Sequence, residues 1–149
     1  MDIIELHLQV REVNMSLINW THDLDTGIEW IDAQHKQIVN YINDLDDAKQ
    51  AGEKAKVGEV MDGLIKYTVN HFSEEEKMME RAGYHLIDAH KGIHKRFVEK
   101  VNNIHNRYKM GNETTEELLN LLETWLFTHI RVNDHGYISS VKDTGADKR

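Results

Sequence analysis

The chain of 149 residues contains no cysteine and no proline. Without cysteine it can form no disulfide, thiolate zinc site or iron–sulfur cluster, and its redox compartment stays open. Without proline no backbone donor is missing and no φ is fixed, which favours long uninterrupted helices. No apolar run approaches the roughly 18 residues a membrane span needs, so membrane insertion is not expected. The opening residues MDIIELHLQV carry acids early and lack a basic stretch ahead of an apolar one. That argues against a secretory signal and makes a cytoplasmic location the expectation. Cations are also scarce: 18 Lys and Arg face 26 Asp and Glu, for a formal net charge of −8. Such a balance argues against nucleic acid or an anionic membrane as the main partner. What the chain has in excess is histidine, 10 in all.

Hydrophobic residues at 40% and charged ones at 30% describe a globular chain of a length that suits one domain. From about Ile28 the apolar residues recur at helical spacing: Ile28, Ile31, Ile38, Val39, Ile42 and Leu45. The stretch DDAKQAGEKAK then reads as a polar turn. A second helix is predicted from about Ala55 to the glycine of RAGY, with Gly83 at a C′ position. A third carries Leu86, Ile87, Ile93, Phe97, Val98, Val101 and Ile104 and ends near KMGN. Thr114 or Thr115 can cap a fourth, whose positive end suits Glu116 and Glu117. Its apolar face is Leu118, Leu119, Leu122, Trp125, Leu126 and Ile130. Four amphipathic helices with short loops predict an all-α, up-down-up-down four-helix bundle.

The first residues differ. IIELHLQVREV fits a strand alternation, and Ile3, Leu6, Val10 and Val13 also fit a helix; the pattern does not choose. Residues 1–19 are expected to be an N-terminal arm or linker remnant, anchored by Trp20. Residues 20–140 form the bundle domain and 141–149 a polar C-terminal tail.

On these helices the histidines converge. HKGIH puts His90 and His94 four apart, one turn along one face, beside Ile93 and Phe97. His71 lies on the face of Met61, Leu64 and Thr68, with Glu75 one turn on. His129 follows Leu122 and Trp125. His35 shares the face of Ile28, Ile31, Ile38 and Ile42. Taken singly each feature has a plain reading. A histidine on an apolar face is more often a satisfied core residue, and the SEEEK run containing Glu75 reads as a solvated face, where Glu74 and Glu76 stay. Asp134 is five residues from His129, about 140° away in a regular helix, as a surface residue would be.

Together they read differently. Five imidazoles and two carboxylates buried without partners would each cost several kcal/mol. Metal ions offset that cost, binding neutral imidazole and ionised carboxylate. Seven ligands exceed one tetrahedral site and suit two ions bridged by the carboxylates; without thiolate they point to iron or manganese.

IDAQHK around His35, HFSEEEKMM with His71 and Glu75, HKGIH, and WLFTHIRVND with His129 and Asp134 resemble hemerythrin, and within it the bacterial hemerythrins. The resemblance runs from about Trp20 to Tyr137, and the five-residue step to Asp134 is the family's own. It implies a di-iron centre. His90, His94 and His129 would hold a six-coordinate iron; His35 and His71 would hold the other, with one position open. Glu75 and Asp134 would bridge them, together with a solvent-derived oxo or hydroxo group. Dioxygen would bind at the open position, in a pocket lined by Ile38, Phe72, Trp125, Leu126 and Ile130. A Trp and Leu stripe at this spacing is also what a core looks like, and here it can be both.

The resemblance implies a reversible dioxygen carrier or store, or the oxygen-sensing domain of a larger receptor from which this chain is a piece, with a signalling domain as partner. A redox sensor or peroxidase-type di-iron protein is the alternative. Di-iron oxygenase bundles use carboxylate-rich sets, whereas five neutral imidazoles favour the ferrous state and binding without turnover. His7, His22, His85 and His105 read as exposed or interfacial, and His135 as a neighbour of the ligands. Trp30 is bulky for a helix start and is expected to shape solvent access there.

Overall fold

The computed structural model describes residues 16–149. Four long helices, α1 (Glu29–Gln50), α2 (Lys54–Ala82), α3 (Ile87–Lys109) and α4 (Thr115–Val132), are joined by turns at 51–53, 83–86 and 110–114. A short α5 (Ile138–Thr144) follows a 3-10 turn, Asp134–Tyr137. Each long helix packs on its sequence neighbours, and α1 closes the ring on α4. This is the up-down-up-down bundle that the periodicity predicts. No strand occurs among the described residues, and none of their helices is long and apolar enough to cross a membrane.

The helix ends show where local chemistry decides. α2 stops where predicted: Gly83 takes φ 64, and its N–H bonds back to Met79 and Glu80. DDAKQAGEKAK is not a turn throughout. Both helices run into it, and only 51–53 is irregular, because Leu45, Asp46 and Ala48 are still buried on the inner face of α1. Thr114 stands at the N-cap of α4, yet its hydroxyl donates to the Ile104 carbonyl on α3 at 3.0 Å. The predicted cap thus ties two helices together. Leu86, read as core, is 50% exposed because it precedes the first turn of α3.

The core has two parts. A large cluster fills the bundle from Leu24 and Ile38 to Phe97, Leu122 and Ile130. A smaller one, with Ile28, Ile31, Met78, Met79, Tyr137 and Val141, closes one end. Residues 141–149, expected as a polar tail, start within α5, with Val141 fully buried and Ala146 at 7% exposure. Their apolar residues are too few to show a period, so only packing reveals them. Residues 1–15 and the question of strand or helix there, His7 included, lie outside the described residues. The last part of the arm does lie on the bundle: Asn43 of α1 bonds both backbone groups of Ile18, at 3.0 and 3.1 Å. Trp20 donates to Asp25 at 2.7 Å, its ring 6.4 Å from that of His35.

Candidate metal centre

Between the two apolar clusters lies one polar layer. Helix α1 supplies His35, α2 supplies His71 and Glu75, α3 supplies His90 and His94, and α4 supplies His129. All are buried, none above 4% exposure. Asp134 joins them because the helix does not continue. After Val132 the chain tightens into the 3-10 turn, and the carboxylate swings to 3.1 Å from His129 Nε2. In a 3-10 turn residues three apart eclipse one another. Tyr137 therefore shares Asp134's direction, and its hydroxyl donates to Glu75 Oε2 at 3.1 Å.

The oxygens of the two carboxylates divide the histidines. Glu75 Oε1 is 3.2 Å from both His90 and His94, while Oε2 is 3.2 Å from His71 and 3.6 Å from His35. Asp134 Oδ1 is 3.1 Å from His90 and His129, and its Oδ2 is 3.1 Å from His35. One oxygen of each carboxylate thus faces His90, His94 and His129, and the other faces His35 or both His35 and His71.

These atoms do not satisfy one another. Both nitrogens of His35, His90 Nε2, Glu75 Oε1 and both Asp134 oxygens have no aligned hydrogen bond, although they are buried. His94 Nε2 and His129 Nε2 stand 3.2 Å apart, while their Nδ1 atoms face acceptors, Glu76 at 2.8 Å and Asn133 at 3.0 Å. With the protons on Nδ1, two bare lone pairs confront each other unless a cation lies between. The donor atoms of Glu75, His90, His94, His129 and Asp134 lie within 4.8 Å of one another, as do those of His35, His71 and Glu75. Each group could hold a metal ion, and an all-imidazole and carboxylate donor set fits iron.

Electrostatics agrees. Burial opposes ionisation of Glu75 and Asp134, but the surrounding imidazoles outweigh it and hold both below the usual carboxylate range. Burial alone would depress His35 and His90; the Asp134 and Glu75 carboxylates push each up to about 9. Burial lowers His71. Burial and the two carboxylates raise Tyr137 well above the usual phenol value, so it stays a proton donor to Glu75.

The hemerythrin HHE cation-binding domain matches residues 26–140. The chain belongs to the hemerythrin family. It is 46% identical over 128 residues to the bacteriohemerythrin of Pseudomonas aeruginosa, covering 86% of this chain and 84% of that one. It is 30% identical over 118 residues to the myohemerythrin of Theromyzon tessulatum, covering 79% and 88%. A crystal structure of wild-type hemerythrin superposes with a TM-score of 0.80 at 31% identity, covering 84% of this chain and 98% of that one.

In this hemerythrin fold the rings expected to line a pocket lie against the imidazoles. Phe72 stacks on His94 with centroids 3.9 Å apart, and Trp125 on His129 at 4.2 Å. Ile38, Leu126 and Ile130 are buried in the same cluster. His22 and His85 are exposed, and His105 pairs with Asp62 at 2.6 Å. His135 Nε2 lies 3.4 Å from the Leu24 carbonyl.

The spacing misses the supporting residues. Glu76, read as solvated, bonds His94 from another helix, and no periodicity within α2 can signal that. Gln34 at 2.6 Å from His71 Nδ1, Asn133 and Tyr137 were likewise hidden. Two of these have a signal in the sequence, Asn133 in its four-residue step from His129 and Tyr137 in its three-residue step from Asp134. Tyr137→Phe removes one buried hydrogen bond, about 1 kcal/mol, with little change of shape. The metal-free variant is expected to melt about 2–4 °C lower and the loaded one to yield metal faster to a chelator. A melting curve and chelation time course identical to the parent's would rule out that contribution.

Proposed function

We propose that this chain binds dioxygen reversibly at a pair of iron ions held by His35, His71, Glu75, His90, His94, His129 and Asp134. The observation that carries this reading is the sharing of both carboxylates between the two histidine groups. His90, His94 and His129 with one oxygen from each carboxylate make five protein donors; His35 and His71 with the other two oxygens make four. The side with fewer donors is where a small ligand enters. When bound, the ferrous pair supplies the electrons with which dioxygen is held and released.

The protein's own residues do the rest. Phe72, Trp125, Ile38, Leu126 and Ile130 exclude water and so withhold protons. Tyr137 keeps its proton on the Glu75 side and orients that carboxylate. Membership of the hemerythrin family, whose proteins carry oxygen rather than catalyse a reaction, supports binding over turnover. So does a ligand set with five imidazoles and only two carboxylates.

The test is an optical spectrum of the anaerobically reduced protein before and after air, with iron counted per chain. Two irons, a colourless reduced form, and a visible band that vanishes under vacuum are expected. Direct conversion to a stable oxidised form without a reversible band would sink the reading. Ile130→Thr brings a hydroxyl into the apolar wall. It is expected to speed loss of the oxygenated band about tenfold; an unchanged decay rate would remove Ile130 from the pocket.

A further inference from the structure

His71 is backed by a chain of contacts that reaches the last residue. Gln34 Oε1 faces His71 Nδ1 at 2.6 Å. The Gln34 amide nitrogen donates to Glu74 Oε2, and Glu74 Oε1 pairs with Arg149 at 2.7 Å. The Arg149 guanidinium lies 4.0 Å over the Trp30 ring. Trp30 in turn donates to the Asp147 carbonyl at 3.1 Å, so the bulky residue at the start of α1 seats the C-terminal segment.

Each link has a direction. An ionised carboxylate only accepts hydrogen bonds, so Glu74 claims the NH2 end of Gln34. The amide oxygen is then the end facing His71, and it too only accepts. Nδ1 must carry the proton, which leaves Nε2 as the bare nitrogen, aimed at the site 3.2 Å from Glu75 Oε2. Without Glu74 the amide is free to turn its NH2 end inward. That would favour the proton on Nε2, where it blocks metal binding.

We propose that Gln34, Glu74 and Arg149 form a relay that fixes the tautomer of His71 and thereby sets the affinity of the two-histidine side of the centre. The proposal rests on the metal-binding reading above. These are positioning residues: none touches the metal points, and Arg149 acts through Glu74. The two-histidine side is the more sensitive one, because His71 is half of its imidazole donors.

Two measurements test it. Nitrogen-15 shifts of His71 in the metal-free protein report the tautomer directly. The parent is expected in the Nδ1–H form, and E74A and Q34L as mixtures. Anaerobic titration of ferrous iron into metal-free protein gives the second readout. The parent is expected to take two ions. E74A and Q34L take the first normally and the second about 10–100-fold more weakly. R149A, changing an exposed side chain, shifts the same step by a few-fold. The double variant Q34E with E74A puts a carboxylate directly behind His71 and is expected to restore both readouts, which a merely structural defect would not allow. A parent-like tautomer and two parent-like ions in E74A overturn the relay. If the parent itself takes no iron, the metal-centre reading fails instead, and the nitrogen shifts still decide the relay.

Discussion

A chain carrying Glu75→Gln is expected to lose both metal ions together. Glu75 has an oxygen against two histidines of each group, Oε1 toward His90 and His94 and Oε2 toward His71 and His35. The amide keeps the shape and the Tyr137 contact but removes the charge. Each charge-assisted contact is worth about 1.5–3 kcal/mol, so losing one at each ion weakens loading by roughly 10²–10⁴-fold in all. His71→Ala and His129→Ala act on one side only. They are expected to leave about one ion per chain, His71→Ala emptying the side with fewer donors. Metal analysis after gel filtration, with circular dichroism to verify the fold, distinguishes the cases. Two tightly held ions in Glu75→Gln would mean that the carboxylate does not bridge.

Stripping the metal is expected to lower the melting temperature at pH 7 by about 15–30 °C. Each ion held at a thousand times its Kd contributes about 4 kcal/mol, and a domain of this size shifts by roughly 2–4 °C per kcal/mol. The loss depends on pH through His35 and His90. In the metal-free protein both stand near 9, above the ordinary 6.5. Their folded-state pKa is raised, so the stability they contribute is fully present below the unfolded value and is lost as pH rises through about 9. A bound ion requires both imidazoles neutral, so loading at pH 7 must expel roughly two protons per chain. Metal affinity is therefore expected to climb with pH up to about 9 and level off above it. Calorimetric titrations in buffers of different protonation enthalpy count those protons. A count near zero at pH 7 would show that the metal-free cluster is not held together by imidazolium–carboxylate pairs.

Much of this architecture was legible in the residues, because a bundle is built from local signals. Helix period, the absent proline and the glycine after α2 each act within a few residues, and side chains four apart share a face whatever surrounds them. That is why His71 with Glu75, and His90 with His94, could be paired without coordinates. The polar run after Leu45 misled for the same reason in reverse: helix continues there because Ala48 and Asp46 are buried by other helices, which composition does not record.

By itself, then, the sequence determined the all-α class, the helices and the residues that could meet in one layer. Tertiary structure decided what local spacing cannot carry. The 3-10 turn after Val132 brings Asp134 and Tyr137 to bear on the same layer as His129. The two oxygens of Glu75, and those of Asp134, face different helices, and together they separate the histidines into three and two. Glu76 and the Gln34–Glu74–Arg149 relay join residues on separate elements. Their roles exist only once the helices are packed, because a hydrogen bond depends on distance and direction in space.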